Sequence, residues 1–300
     1  MSGFDVLNNQ FAIPGAAKIV VAEGNLPAVA VDTGETEGLV YLHGAHVAKW
    51  RPKGHDEVLW LSAKSQYVSG KPIRGGVPIC FPWFGPKADD TNAPMHGFVR
   101  LRDWRLESVE HDAGEVTVVL QTASDAESRK WWDAEFVLTH RITMGRTLTM
   151  SLEIKNAGSA EISLQEALHT YFSLGDVKAA KVLGLDSTRY LDKTDGAKTK
   201  MQEGPITITA ETDRVYLDTA AIVTIEDPAK RRRIHVAKEG SRTTVVWNPW
   251  IAKAKAMPDF GDEEWPGMMC VETCNVGDYA VKVAAGETAV MKAIISVERM

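Results

Sequence analysis

Only three cysteines occur in 300 residues, Cys80, Cys270 and Cys274, an odd number and too few for a disulfide framework. Cys270 and Cys274 lie four apart in Met-Met-Cys-Val-Glu-Thr-Cys, which reads as a strand. At about 3.3 Å per residue their Cα atoms stand roughly 13 Å apart. A disulfide spans roughly 4.4–6.8 Å, so this pair cannot close within a strand. Long apolar runs are also missing: none approaches the roughly 18 residues of a membrane span. The start, Met-Ser-Gly-Phe-Asp, carries no basic leader. Basic residues number 34 against 40 acidic, giving a formal charge of −6 and a pI near 5.8. That balance argues against a nucleic-acid or anionic-membrane surface, although a few local arginines can still hold an anionic small molecule. The expectation is a soluble, cytoplasmic protein of a reduced compartment. Signatures of cofactor chemistry are absent too, with no GxxxxGK, GxGxxG, GxSxG or HExxH pattern. His43 and His46 are three apart, which in a strand sends them to opposite faces, and no His/Cys cluster has metal spacing. No metal and no cofactor is expected.

What is present is ordinary globular composition, 44% apolar and 25% charged. A chain this long buries roughly 75% of its unfolded surface and needs no staple. Its dominant period is two: Leu148, Met150, Leu152 and Ile154 alternate with Thr149, Ser151, Glu153 and Lys155. Similar segments recur at 18–22, 28–32, 57–61, 115–121, 136–143, 206–210, 221–226 and 288–297, many bounded by turn residues such as Asn156-Ala-Gly158. This spacing predicts an all-β fold, a sandwich or barrel. Helical pattern is sparse. Ser124-Asp-Ala-Glu127 before Ser-Arg-Lys-Trp-Trp reads as a capping box and predicts one or two turns. With no linker, repeat or low-complexity tract, residues 1–300 read as one domain. The run Lys230-Arg-Arg-Arg233 reads as a solvated hairpin, with phosphate or nucleic-acid contact as the alternative.

One stretch departs from the pattern. Between Gly70 and Gly97 ten of 28 residues are Gly or Pro, interleaved with Phe81, Trp83 and Phe84. Aromatic content disfavours disorder, and a long irregular segment in a β domain is commonly functional, so this reads as a binding wall. Three acid–base candidates stand out. His169 lies in Gln165-Glu-Ala-Leu-His-Thr-Tyr171, read as one strand in which Gln165, Ala167, His169 and Tyr171 share a face. Glu272 sits mid-strand among apolar residues, where a carboxylate without a task would be costly. Asp213 lies in Glu211-Thr-Asp-Arg-Val-Tyr216. By spacing alone His169 could be a hydrogen-bonded structural residue, and Asp213 could cap a turn or pair with Arg214. Arg74, within the wall, and Arg100, at its border, suit bidentate phosphate recognition; surface ion pairs are their plain alternative.

Six motifs then follow in order: Lys71-Pro-Ile-Arg-Gly-Gly-Val-Pro-Ile-Cys-Phe-Pro-Trp-Phe-Gly85, His96-Gly-Phe-Val-Arg100, Leu168-His-Thr-Tyr-Phe172, Thr212-Asp-Arg-Val-Tyr216, Val245-Val-Trp-Asn-Pro249 and Val271-Glu-Thr273. From about Gly38 to the C-terminus the chain resembles the D-hexose-6-phosphate mutarotases (glucose-6-phosphate 1-epimerases) of the aldose 1-epimerase superfamily. The resemblance implies a large antiparallel β-sandwich, the galactose-mutarotase-like supersandwich, with the sugar across one concave sheet. It implies His169 and Glu272 as catalytic residues and Arg74, His96, Arg100 and Asp213 as substrate-binding ones. The position before His-Gly-Phe is often polar in the resembled enzymes, whereas here it is Met95, which cannot donate a hydrogen bond from its side chain.

Interconverting anomers needs a base at the C1 hydroxyl and an acid at the ring oxygen, expected on opposite sides of the C1–O5 unit. Glu272 is the base in this reading and His169, as imidazolium, the acid. Asp213 fixes hydroxyls and the arginines hold a 6-phosphate. The partner is a small-molecule sugar phosphate, with no nucleic acid and no membrane, and a monomer is expected. Two other readings compete. One is a glycoside hydrolase or lyase using Glu272 with Glu166 or Asp213, which needs carboxylates about 5–9 Å apart. Glu166 is three residues from His169, so alternation points it to the other face. The other is a non-catalytic sugar-phosphate-binding regulatory protein, against which the intact His169 and Glu272 argue.

Overall fold

The computed structural model describes residues 3–300. Among these, the period-two segments become 22 antiparallel strands in sheets of eight, eight, four and two. One large sheet runs Lys181–Leu183, Val223–Asp227, Arg232–Glu239, Thr288–Arg299, Thr147–Asn156, Phe136–Met144, Glu115–Ala123 and Arg105–Asp112. Its alternation is the one read from sequence: Leu148, Met150, Leu152 and Ile154 are all fully buried. Truncating any of these to alanine would cost about 2–5 kcal/mol, because the packed interior cannot close over the gap. The other large sheet runs Lys198–Met201, Arg189–Asp192, Thr212–Leu217, Thr243–Asn248, Met268–Asn275, Glu166–Leu168 and Ile79–Cys80, with Tyr171–Ser173 also paired to Met268–Asn275. Both sheets contribute to one apolar cluster, which joins Leu152 and Ile295 to Val246 and Val271. The fold is therefore the expected large antiparallel β-sandwich. No helix among the described residues is long and apolar enough to cross a membrane.

The strand Met268–Asn275 is the axis of the site. All eight of its residues are buried. Val271, Cys270 and Cys274 all belong to the apolar cluster, and by alternation Glu272 shares its face with the two cysteines. All three cysteines are free and buried.

Several local expectations are corrected. The segment around His169 is two short strands, Glu166–Leu168 and Tyr171–Ser173, rather than one. The Thr170 N–H turns back to the Leu168 carbonyl at 2.9 Å, and the His169 N–H donates to Pro78 O at 3.1 Å. Register nevertheless continues, with Leu168 opposite Thr273 and Tyr171 opposite Cys270. His169 therefore falls opposite Glu272. Residues 57–61 and 206–210 make only isolated bridges, such as Leu59 to Phe172 and Ile206 to Val182.

Three α-helices occur among the described residues, Gly3–Phe11, Ser128–Trp131 and Trp250–Ala256, and the sequence pattern marks only the second. The reciprocal cap before Ser128–Trp131 is Asp125 with Ser128: Asp125 Oδ1 accepts the Ser128 N–H at 2.8 Å and Ser128 Oγ accepts the Asp125 N–H at 2.9 Å. Ser124 instead accepts from the Phe136 N–H at 3.2 Å, so the box sits one residue further on. The helix Trp250–Ala256 is masked in sequence because Ile251-Ala-Lys-Ala-Lys-Ala256 alternates like a strand. Asn248 Oδ1 starts it by accepting the Trp250 N–H at 2.9 Å.

Candidate active site

The Gly/Pro-rich segment forms a wall over the second large sheet. It contains one two-residue strand, Ile79–Cys80, whose Cys80 pairs with Ala167 beside His169. Gly97 shows why glycine is needed there: with φ of +76°, an added Cβ would stand 1.8 Å from Phe81 O.

On the floor, His169 Nε2 lies 3.3 Å from Glu272 Oε1. The imidazole stacks on the Tyr171 ring at 4.8 Å and 12°, and Tyr171 stacks in turn on Trp60 at 5.7 Å and 20°. This three-ring stack fixes the plane of the imidazole. Trp247 meets both His169 and Tyr171 edge-on, at 6.1 and 6.0 Å. His169 and Tyr171 thus share a face, as alternation implies. Glu166 lies on the other face, where its Oε1 accepts from Asn275 Nδ2 at 2.9 Å, and this removes it as a partner for Glu272.

Burial sets the protonation of the central pair. It pushes Glu272 well above the usual carboxylate range, reinforced by Asp213 and opposed by Arg100. It pushes His169 down to about 3, with Arg100 and Arg74 adding to the effect. Burial thus favours the uncharged form of both groups. His169 Nδ1 and Glu272 Oε2 are buried with no hydrogen-bond partner among the described residues. Buried polar atoms without partners are uncommon in folded proteins, and these two belong to the residues whose Nε2 and Oε1 meet.

His96 stands edge-on to His169 at 5.7 Å and to Phe84 at 4.8 Å. Its Nδ1 accepts the Gly85 N–H at 3.1 Å, which places the ring proton on Nε2. Burial, then Arg100, holds it well below the usual histidine range, so it is a neutral donor.

Arg74 gives NH1 to Tyr171 Oη at 2.9 Å, and its Nε and NH2 reach the two carboxylate oxygens of Asp259, each at 3.2 Å. Arg100 forms no ion pair among the described residues. Its NH2 donates to Met95 O at 2.8 Å, and its Nε is buried without a partner. The contact from position 95 is thus a main-chain carbonyl, which any residue supplies, while the Met95 side chain is 52% exposed.

Asp213 sits opposite Trp247, and Glu272 sits opposite Val245. Two strands across and two residues along place their Cα atoms about 12 Å apart, room for a sugar ring between them. Asp213 makes no hydrogen bond among the described residues, and Arg214 turns instead to Gln202 Oε1 at 3.1 Å. Burial raises the Asp213 carboxyl, with Lys253 and Lys193 opposing.

All six expected residues thus line the wall or the facing side of the sheet. His169 and Glu272 stand side by side rather than facing each other across the cleft. Tyr171, Trp247 and Asp259 were not singled out as site residues. Tyr171 was legible from its alternation with His169; Asp259, 185 positions from Arg74 in a loop, carried no signal. His169, Cys270 and Glu272 also offer donor atoms within 4.8 Å of one another, close enough for a divalent ion. Burial pushes the Cys270 thiol well up, so its ionisation opposes such binding.

The site is thus a buried His–Glu pair on one sheet of an antiparallel sandwich, with arginines in the wall beside it. The profile of the family described as aldose 1-epimerase matches residues 27–296, and the chain belongs to that family. A relative from Escherichia coli (strain K12), named "Putative glucose-6-phosphate 1-epimerase", is 37% identical over 254 residues, 84% of each chain. The crystal structure of the "putative mutarotase (YeaD)" of Salmonella typhimurium superposes with a TM-score of 0.89 at 33% identity, covering 98% of this chain and 100% of that one. A galactose mutarotase-like protein from Clostridium acetobutylicum shares the fold, with a TM-score of 0.72 at 15% identity over 95% of this chain and 98% of that one.

Proposed function

We propose that this epimerase interconverts the α and β anomers of a hexose 6-phosphate, glucose 6-phosphate first among them, with Glu272 and His169 as the acid–base pair. The observation that carries the reading is the 3.3 Å contact between two desolvated titratable groups, with Arg74 and Arg100 close enough to shift His169. Relatives bearing the glucose-6-phosphate 1-epimerase name support the substrate.

The chemistry follows from the pair holding one transferable proton. Passing it from Glu272 to His169 across their contact gives carboxylate and imidazolium. The carboxylate takes the O1 proton and the carbonyl forms at C1. The C1–O5 bonding pair moves to O5, which takes the imidazolium proton. The pair ends neutral, the state that burial favours, and the aldehyde rotates about C1–C2. Closure on the other face runs the same steps backwards, with Glu272 returning a proton to O1 and His169 accepting one from O5. Asp213 and the His96 Nε2–H hold ring hydroxyls, while Arg74 and Arg100 take the phosphate, which carries about −1.5 to −2 charges at neutral pH. The step requires no cofactor: it is two proton transfers and positioning. The three buried free thiols support a reducing, cytoplasmic setting, and we place the whole activity in one monomeric domain.

Two-dimensional NMR exchange between the anomers of glucose 6-phosphate tests the reading. Catalysed exchange without new reducing ends from a disaccharide supports it. Disaccharide cleavage would mark a hydrolase, and binding without exchange a regulatory protein; either would overturn it.

A further inference from the structure

The basic run Lys230–Arg233 takes no part in the cleft chemistry, and it is only partly the solvated hairpin its sequence suggests. It links the strands Val223–Asp227 and Arg232–Glu239, but Arg232 is 2% exposed. Beside it lies a cavity of about 360 Å³ lined by His55, Asp56, Lys230, Arg231, Arg232 and Arg299, among others. Lys230, Arg231, Arg232 and Arg299 thus line it together with Asp56 and Met300, and the buried Asp227 carboxylate stands beside Arg232.

Their existing partners are mostly neutral. Lys230 Nζ donates to Ser173 Oγ at 2.7 Å, and Arg299 NH2 donates to Gly54 O at 2.7 Å. Arg232 gives NH1 to Glu57 O at 3.2 Å and NH2 to Ser173 O, and its Nε reaches Asp227 Oδ2 only at 3.5 Å. The exposed Arg231 guanidinium has no hydrogen bond or ion pair among the described residues. Arg232 and Arg299 are also directly opposed in the antiparallel ladder. Like charges in that register repel, a cost that Asp227 beside Arg232 offsets in part. Burial, then the neighbouring arginines, accordingly pushes the His55 imidazole down.

We infer that this cavity is a second anion site, additional to the catalytic cleft, built to take a phosphoryl group between Arg231, Arg232, Arg299 and Lys230. Guanidinium forks suit phosphate oxygens, and the repulsion between Arg232 and Arg299 becomes attraction to a shared dianion. Free phosphate and a small phosphate ester present the same group. The sequence alternative of phosphate contact at Lys230–Arg233 thus has a place to occur.

His55 provides a local readout, assigned by its loss in His55→Gln. Titrating the full chain with inorganic phosphate and, separately, with glucose 6-phosphate should move the His55 ring resonances saturably and raise their titration midpoint. Equal responses mark the phosphoryl group alone as the ligand; a tighter response to the ester marks a contribution from its sugar. Arg231→Ala and Arg299→Ala should each weaken the response about tenfold. Anomer exchange in Arg231→Ala should be unchanged. Absence of saturable movement at His55, or an undiminished response in the double variant, would overturn the site. Loss of exchange in Arg231→Ala would overturn its being additional to the cleft.

Discussion

Replacing Arg74 should damage turnover of glucose 6-phosphate more than replacing Arg100, although both are assigned to the phosphate. Arg100 has no carboxylate partner, so Arg100→Ala removes the substrate contact and a bond to Met95 O. One charge-assisted hydrogen bond is worth about 1.5–3 kcal/mol, so kcat/KM should fall about 10–150-fold. Arg74 also holds Asp259 through two nitrogens, and that carboxylate is only 14% exposed. Arg74→Ala leaves the carboxylate unpaired beside an incoming phosphate, adding about 1–3 kcal/mol, for a total loss of about 10²–10⁴-fold. Asp259→Asn in the Arg74→Ala background should recover about tenfold of it, because the asparagine carries no charge. The assay is NMR anomer exchange on glucose 6-phosphate and on glucose, which lacks the phosphate and should change little. Equal losses on the two sugars would refute the phosphate assignment, and failure of Asp259→Asn to recover activity would refute the unpaired-carboxylate argument.

Met95→Gln should leave kcat/KM within about twofold, as for other exposed substitutions, because the position works through its carbonyl; a larger gain or loss in exchange assays would show a side-chain contact. Glu166 is pushed up to about 7 by burial, so the folded chain holds its proton where the unfolded chain, near 4.5, releases it. Stability is therefore lost as pH rises from about 4.5 to 7, by up to about 3 kcal/mol. Glu166→Gln should flatten that part of the pH–stability curve in denaturant melts, and an unchanged slope would place the titration elsewhere. Chelators should leave anomer exchange unaffected; a loss restored by a divalent ion would place that ion on His169, Cys270 and Glu272.

The sandwich was legible because its longest strands keep strict alternation over a single buried face, as at Leu148–Ile154. Part of the candidate site was legible for a different reason: Glu272 is a charge in the middle of an apolar strand, and the Gly70–Gly97 segment breaks the period, while the rest of the set rested on the family resemblance. What escaped reading was contact between distant segments. Arg74 meets Asp259 only because the loop after the helix Trp250–Ala256 returns over the wall, and that helix imitates a strand in sequence. The break at His169 was equally hidden, since it depends on Pro78 accepting the His169 N–H from another segment. The 3.3 Å approach of His169 to Glu272 was likewise hidden, because it depends on the register between distant segments. Adjacent strands bring the two groups together because residue 169 falls opposite residue 272.

The most direct test is the anomer-exchange rate of glucose 6-phosphate with folded Glu272→Gln and His169→Asn proteins, measured against the unaltered chain at neutral pH. Both substitutions are close in size and retain hydrogen-bonding groups, so the sandwich should survive, as circular dichroism can verify. Loss of a positioned acid or base lowers kcat by about 10²–10⁴-fold, and each variant should fall in that range. Near-full exchange in either folded variant would contradict the assignment of the pair.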